Sequence, residues 1–212
     1  MTNDVHPAHQ PRLGAPNESV WTAVFNPLQY PISTQLPARY DVPTAWIGHV
    51  PFGMTIVDMV RPRVLVELGT HWGVSYCAFC QAVKELQLST QCWAIDTWQG
   101  DAHAAFYTEE VFESLKAHHD ERYALFSKLI RSTFDDALQF FEDGTIDVLH
   151  IDGFHTYDAV SHDFETWLPK MSDRGVVLFH DIDVRDLESF GVWRFWDDMK
   201  QKYPYFEFHH AH

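Results

Sequence analysis

One stretch limits what this chain can become: Val64-Leu-Val-Glu67-Leu-Gly69-Thr70-His-Trp-Gly73-Val-Ser75-Tyr. The apolar run reads as a buried strand, and a turn bracketed by glycines then opens a helix. Such a turn brings bare backbone up to a ligand at the carboxyl end of a parallel strand. Gly69 permits a turn that side chains would block, and Gly73 lets the new helix sit close to the strand. A dinucleotide-binding turn would read G-x-G-x-x-G straight after the strand. Here His71 stands where the middle glycine would admit a pyrophosphate. That order speaks against a nicotinamide-dependent sugar enzyme and for a ligand without a pyrophosphate.

Strand and helix signals then alternate along the chain. Cys92 to Ile95 reads as a second strand ending at Asp96, and Glu109 to His119 as a helix. A short third strand is expected near the end of Tyr123 to Ile130, and a helix over Phe134 to Phe141. Ile146 to Ile151 is a strand ending at Asp152, and the helix from Ala159 to Leu168 is stopped by Pro169. Gly175 to Phe179 is a strand ending at His180-Asp181. A helix over Trp193 to Lys202 follows, and Phe206-Glu-Phe starts a last strand. This alternation predicts an α/β fold, Rossmann-like and doubly wound, with a mostly parallel sheet covered on both faces. Residues 1–18 read as a mobile polar tail. Residues 19–62, rich in aromatics and prolines, read as an arm and helix that act as a lid or packing segment. Residues 63–212 form the ligand-binding domain. Four acids, Glu67, Asp96, Asp152 and Asp181, close predicted strands and are expected to share the ligand crevice.

Charge narrows the partners. The 212 residues carry a formal charge of -15, which repels phosphate backbones and anionic membranes, so nucleic acid is excluded as a substrate. No Asn/Asp-Pro-Pro-Tyr/Phe segment of nucleic-acid methylation follows the fourth strand. No apolar run is long enough to span a bilayer. Three cysteines, Cys77, Cys80 and Cys92, fit a reducing compartment, and the cytoplasm is the expected location. Cys77 and Cys80 read as a buried helix face. The fourteen histidines, His209, His210 and His212 among them, are read as mostly inert.

Glu67-Leu-Gly69-Thr70-x-x-Gly73 resembles the first motif of class I S-adenosylmethionine-dependent methyltransferases. The resemblance covers roughly Arg63 to Phe208. It implies a seven-stranded sheet with one antiparallel strand; the chain stops just after Phe206-Glu-Phe, one strand short of the family's hairpin, so either it has been trimmed or a partner or the N-terminal arm covers that edge. It implies S-adenosylmethionine held by Glu67, Gly69, Thr70, Gly73, Ser75, Asp96, Thr97, Trp98, Ser132 and Asp152. Asp96 falls where the family's second-strand acid accepts both hydroxyls of the ribose, Trp98 stacks on adenine or packs in the core, and Ser132 lies near the adenine.

The segments His150-Ile-Asp152-Gly-Phe-His155-Thr-Tyr157 and Leu178-Phe-His180-Asp181-Ile resemble the subgroup that methylates sugars and glycosylated small molecules, which overlaps the metal-dependent macrolide-sugar O-methyltransferases. By that resemblance Asp152, His180 and Asp181 hold a divalent metal, magnesium or manganese, and His155 with Asp152 is catalytic, His155 as the base. The relatives usually carry a carboxylate at the position of His180. Imidazole suits manganese, iron or zinc better than magnesium. Either His180 points elsewhere, or the ion is not magnesium, or there is none. The expected acceptor is a small molecule or glycan hydroxyl. A catalytically silent, cofactor-binding partner of a glycosyltransferase is the alternative, and a homodimer is left open. Phe190 to Trp196 offers aromatic faces and Arg194, read as a core face or as an acceptor pocket.

Overall fold

The computed structural model describes residues 29–103 and 105–208. The expected mobile tail at 1–18 and the first part of the arm lie outside them. Five parallel strands form one sheet: β1 (Val64–Leu68), β2 (Gln91–Asp96), β5 (Ser127–Arg131), β6 (Ile146–Ile151) and β7 (Met171–Phe179), in the order β5-β2-β1-β6-β7. The order reverses on either side of β1, which creates the crevice beyond the strand ends where α/β sheets bind ligands. A two-stranded antiparallel hairpin, β3 (Gly100–Asp101) with β4 (Ala105–Phe106), follows β2.

Helices cover both faces because β1 is apolar on both. Leu65 packs with α1 (Val50–Val60), α2 (Val74–Glu85) and α3 (Glu109–Arg122) through Met54, Val57, Tyr76, Phe79 and Leu115. Val66 and Leu68 face α4 (Phe134–Ala137), α5 (Tyr157–Trp167) and α6 (Val192–Met199) through Ala137, Phe164, Trp167 and Phe195. Every residue of α2 from Val74 to Val83 is buried, which an ordinary surface helix does not allow. The arm explains it. Gln81 accepts the Ala38 N–H at 2.7 Å and donates to Leu36 O at 2.9 Å. Buried Arg39 reaches across to Trp72 O at 2.6 Å and Ser114 Oγ at 3.0 Å. The residues before β1 are thus a strap across α2 and the glycine turn.

Two expectations fail at the sheet edge. Among the described residues the main sheet has five strands, all parallel, rather than seven with one antiparallel. Residues 204–208 form no strand. Their side chains turn the segment back onto helices: Phe208 packs on Phe52 at 4.3 Å between ring centroids, and Glu207 accepts from Trp196 Nε1 at 2.7 Å. No helix among the described residues is long and apolar enough to cross a membrane.

Asp147, near the start of β6, ties the amino-terminal ends of β1 and β7 to its own strand. Its buried carboxylate takes the Arg63 backbone N–H at 2.8 Å, the Arg63 guanidinium in two bonds of 2.9 Å, and the Ser172 hydroxyl at 2.6 Å. The Arg63 hydrogen bond leads in holding the carboxyl well below the usual range. Asp147→Ala leaves the Arg63 backbone N–H and the Ser172 hydroxyl without their partner and is expected to cost about 1–3 kcal/mol, a Tm drop of about 2–12 °C. Because the folded-state pKa is lowered, this stabilisation is complete above about pH 4 and fades as pH falls further. Thermal melts at pH 7 and pH 3 check it: the wild-type advantage must shrink in acid.

Candidate active site

The glycine turn is built by two close approaches. Gly69 adopts φ +84°, and a Cβ there would stand 2.1 Å from the Asp152 carbonyl oxygen. Any side chain would therefore push the β1 turn away from the end of β6. Gly73, at φ +76°, would put a Cβ 2.5 Å from Leu115, so it is bare for the sake of α3 rather than only for the strand before it. Asp96 then holds the turn from β2. Its carboxylate accepts the N–H groups of Thr70 at 2.8 Å, His71 at 2.9 Å and Trp98 at 2.7 Å. Three of about four lone-pair positions are thus taken by the chain itself. The acid expected to meet a ribose diol is first the clamp of the loop.

A cavity of about 410 Å³ opens above this turn, within the range of about 300–1,000 Å³ of small-molecule sites. Gly69, Thr70, Gly73, Ser75, Asp96, Thr97, Asp152, His155, His180 and Asp181 line it. Three predicted cofactor residues do not. Glu67 is fully buried below the rim, because it lies within β1 opposite His150 rather than past its end. It hydrogen-bonds His150 Nδ1 at 2.8 Å. Burial, the leading influence, pushes its carboxyl up. Trp98 is 1% exposed and donates its indole N–H to His71 O at 3.0 Å, so it packs the turn from beneath. Ser132 binds the Asp96 carbonyl through its own backbone N–H, and its neighbours Thr133 and Phe134 face the cavity instead. Trp193 and Trp196 also lie away from the cavity lining, Trp196 among the core-packed rings.

The carboxyl ends of β6 and β7 carry a cluster of two acids and two imidazoles. His155 Nε2 is 3.0 Å from Asp181 and 3.7 Å from Asp152. His180 Nδ1 is 3.4 Å from Asp152 and 3.2 Å from Asp181. Asp181 sits at φ +57°, a strained turn that sends its carboxylate back under the rim. Burial opposes the charge on all four groups, and their mutual pairing overcomes it. Asp152 is held well below the usual carboxylate range and Asp181 at about 2, while His155 is raised to about 9 and His180 to about 11. The base expected at His155 therefore already carries its proton at neutral pH. Capping of α5, the other role open to a histidine there, belongs to Thr156, whose hydroxyl accepts from Ala159 N at 3.2 Å.

Two contributors escape the sequence pattern. The arm brings Trp46 over the cluster, its ring stacked on His180 with centroids 5.7 Å apart. The β3–β4 hairpin brings His103 onto Phe154 at 4.3 Å and Phe190 at 4.8 Å, and Phe190 stacks on His155 at 4.6 Å and 4°. These stacks fix the plane of the His155 ring. Cys77, Cys80 and Cys92 are buried, unbridged thiols.

A parallel sheet reversing at β1, with a glycine turn and acids past the strand ends, is the architecture of a Rossmann-like methyltransferase domain. A family model described as a methyltransferase domain matches residues 66–182, more than half of the chain, and the chain belongs to that family. The uncharacterized protein y4gI of Sinorhizobium fredii (strain NBRC 101917 / NGR234) is 49% identical over 185 residues, 87% of this chain but 20% of that protein. The chain thus spans about a fifth of the curated relative it matches. Among solved structures, the O-methyltransferase from Bacillus cereus in complex with SAH superposes with a TM-score of 0.55 at 17% identity, over 83% of this chain and 77% of that one. TomG from Streptomyces achromogenes, an O-methyltransferase involved in tomaymycin synthesis and solved with SAM, gives 0.56 at 15%, over 77% and 72%. At these identities the likeness is one of fold.

Two outcomes are expected. Asp96→Ala frees three backbone donors and should weaken S-adenosylhomocysteine binding at least roughly tenfold, since each bond to a charged group is worth about 1.5–3 kcal/mol; calorimetry measures it. In the metal-free chain, nitrogen NMR should place the His155 midpoint near pH 9, and Asp181→Asn should lower it. The stabilisation from this pairing is complete below about pH 6.5 and lost as pH rises through 9.

Proposed function

We propose that the domain transfers the methyl group of S-adenosylmethionine to a hydroxyl oxygen of a carbohydrate-containing small molecule or glycan precursor. The observation that carries this reading is the sharing of one cavity by the glycine turn and the Asp152–His155–Asp181 cluster. A nucleophile must approach an activated methyl in line, so donor and acceptor sites must adjoin. The residues suit the cofactor. Gly69 keeps bare backbone at the turn, and the buried Thr70 hydroxyl, which lines the cavity, has no hydrogen-bond partner among the described residues. Thr70, Gly73, Ser75, Asp96 and Thr97 would hold the bound molecule, with Glu67, Trp98 and Ser132 supporting them from below. When bound, the sulfonium supplies a methyl carbon ready for displacement.

The acceptor hydroxyl is a weak acid, so its proton has to leave as the oxygen–carbon bond forms and the carbon–sulfur bond breaks. The proton passes from the hydroxyl to the ionised Asp152 carboxylate and on to solvent, since His155 already carries its own. Asp152 and Asp181 bind hydrogen-bond donors, while protonated His155 releases its own proton only in alkaline solution or when another cation takes over its pairing. The cluster also suits a divalent cation: Asp152, His155 and Asp181 each bring one donor atom, all within 4.8 Å of one another. Such an ion would supply Lewis acidity toward the hydroxyl. The sugar reading is supported by the resemblance of the His150–Tyr157 and Leu178–Ile182 segments.

The match to a fifth of a longer relative supports a second reading, a cofactor-binding domain that serves a larger protein such as a glycosyltransferase without turnover of its own. One experiment separates them. Purified chain is given methyl-labelled S-adenosylmethionine and a panel of sugars, glycosides and nucleotide sugars, with added divalent ions. Label in an acceptor with wild type, and its loss by at least about 100-fold in Asp152→Ala with S-adenosylhomocysteine binding retained, is expected. Binding without label in any acceptor favours the silent domain, and no binding at all sinks both.

A further inference from the structure

We propose that the acceptor carries no phosphate: it is a free sugar or glycoside, neutral or amine-bearing, and Asp101 is the residue that turns phosphorylated and nucleotide-linked forms away. The inference rests on the methyl-transfer reading and narrows its acceptor. The charges on the cavity wall carry it. Four aspartates line the cavity, Asp96, Asp101, Asp152 and Asp181, against three histidines, His71, His155 and His180. With every one of those imidazoles protonated, the wall would still hold more negative than positive charge. A divalent ion at the cluster would be balanced by the carboxylates of Asp152 and Asp181 that hold it. Of the fifteen lysines and arginines, all but Arg12 lie within the described residues, and none of these lines the cavity.

The cations around the site are held elsewhere. Arg131 reaches Thr97 O at 3.3 Å, but its guanidinium is closed by both oxygens of Glu109 at 2.5 and 2.7 Å. Arg39 binds Trp72 O and Ser114 Oγ. Arg194, open in the sequence to an acceptor role, lies over the Tyr157 ring at 4.2 Å. Backbone N–H groups are the other means of cradling a phosphate. At the glycine turn and the hairpin they are already bonded, those of Thr70, His71 and Trp98 to Asp96 and that of His103 to Asp101 at 2.7 Å. The start of α2 remains, with Val74 and Ser75 on the wall beside the glycine turn, so an anion there competes with the cofactor rather than with the acceptor. The wall offers ring faces instead: Trp46 from the arm, Tyr107 flat against His71 at 4.4 Å and 11°, and the partly exposed Phe154. A π face is electron-rich, which suits the C–H face of a sugar ring and repels an anion. Asp101 stands on the hairpin just before His103, whose ring packs on Phe154 and stacks with His155 at 5.7 Å. Its charge therefore lies on the hairpin side of the cavity, next to the cluster without belonging to it.

Chain saturated with S-adenosylhomocysteine, so that the cofactor side is filled, is titrated by calorimetry with pyrophosphate and with uridine diphosphate. Neither is expected to bind more tightly than about 1 mM. In parallel, methyl-labelled S-adenosylmethionine is offered with matched acceptors, each sugar as its methyl glycoside, its amino sugar, its phosphate and its uridine diphosphate conjugate. Label is expected in glycosides or amino sugars, with kcat/KM for the phosphorylated and nucleotide-linked forms lower by at least about 100-fold, because like charges brought together are strongly disfavoured. Asp101→Asn keeps an oxygen for the His103 N–H and removes the charge. It should leave kcat/KM for the glycoside within about twofold and narrow the gap to the phosphorylated form roughly tenfold. Pyrophosphate or uridine diphosphate bound by the loaded chain below about 1 mM, or a phosphorylated form labelled as well as its glycoside, overturns the proposal. An unchanged gap in Asp101→Asn overturns the role given to Asp101. The calorimetry decides where no acceptor takes label. If S-adenosylhomocysteine does not bind, the methyl-transfer reading falls and this inference with it; if it binds and the anions bind too, this inference falls alone.

Discussion

The working half of the molecule depends on the close approach of Gly69 to Asp152. The first ends β1 and shapes the ligand turn; the second ends β6 and belongs to the reactive cluster. With a Cβ at Gly69 only 2.1 Å from the Asp152 carbonyl, the two strand ends cannot both keep their places unless residue 69 is glycine. The backbone hydrogen bond from Asp152 N to Leu68 O at 2.9 Å closes the same contact from the other side. The glycine turn and the acid–imidazole cluster are adjacent because two neighbouring parallel strands are in register at their tips, and register in a buried sheet is set by its apolar pattern.

Electrostatics follow from that adjacency. Bringing Asp152 and Asp181 under one rim would be costly for two bare carboxylates. Two imidazoles from the same loops offset it, and Trp46 from the arm covers one of them. The cluster is close to neutral when the histidines are protonated, which is why so much charge can sit partly out of water in a chain that is strongly acidic elsewhere. A cation that takes over the pairing must displace a proton, so occupancy of the cluster and its protonation are one equilibrium.

The strands β1, β2, β6 and β7, and the acids just past β6 and β7, were legible because buried parallel strands read as short apolar runs and their ends as abrupt changes to polar residues. Glu67 misled for a reason of phase. It precedes Leu68, the last residue of β1, so it points into the sheet's covered face rather than over its tip, where His150 and Ser75 meet it. Trp98 and Asp96 were found as neighbours of the ligand turn, yet their task of holding the turn depends on backbone N–H groups that no side-chain pattern reveals. His103 was missed because the hairpin that carries it has two-residue strands with no periodicity to read. The only sequence hint was Gly100, where a Cβ would stand 2.0 Å from Ala105 O.

Left-handed backbone outside glycine is concentrated around the cavity. His71, Trp98, Ala105 and Asp181 all have positive φ, and all four belong to the ligand turn, the hairpin or the cluster. Each costs about 1–3 kcal/mol unless its surroundings impose it. Here they do. Asp96 accepts the N–H groups of His71 and Trp98, and the Trp98 indole binds the His71 carbonyl, so one carboxylate and one ring hold two strained residues against each other. The hairpin is then launched from that locked point, carrying His103 onto the ring that fixes His155. Rigidity passes in this way from β2, through the turn, to the imidazole of the reactive cluster. The pieces that touch a ligand are therefore positioned by the same few bonds that keep the turn folded.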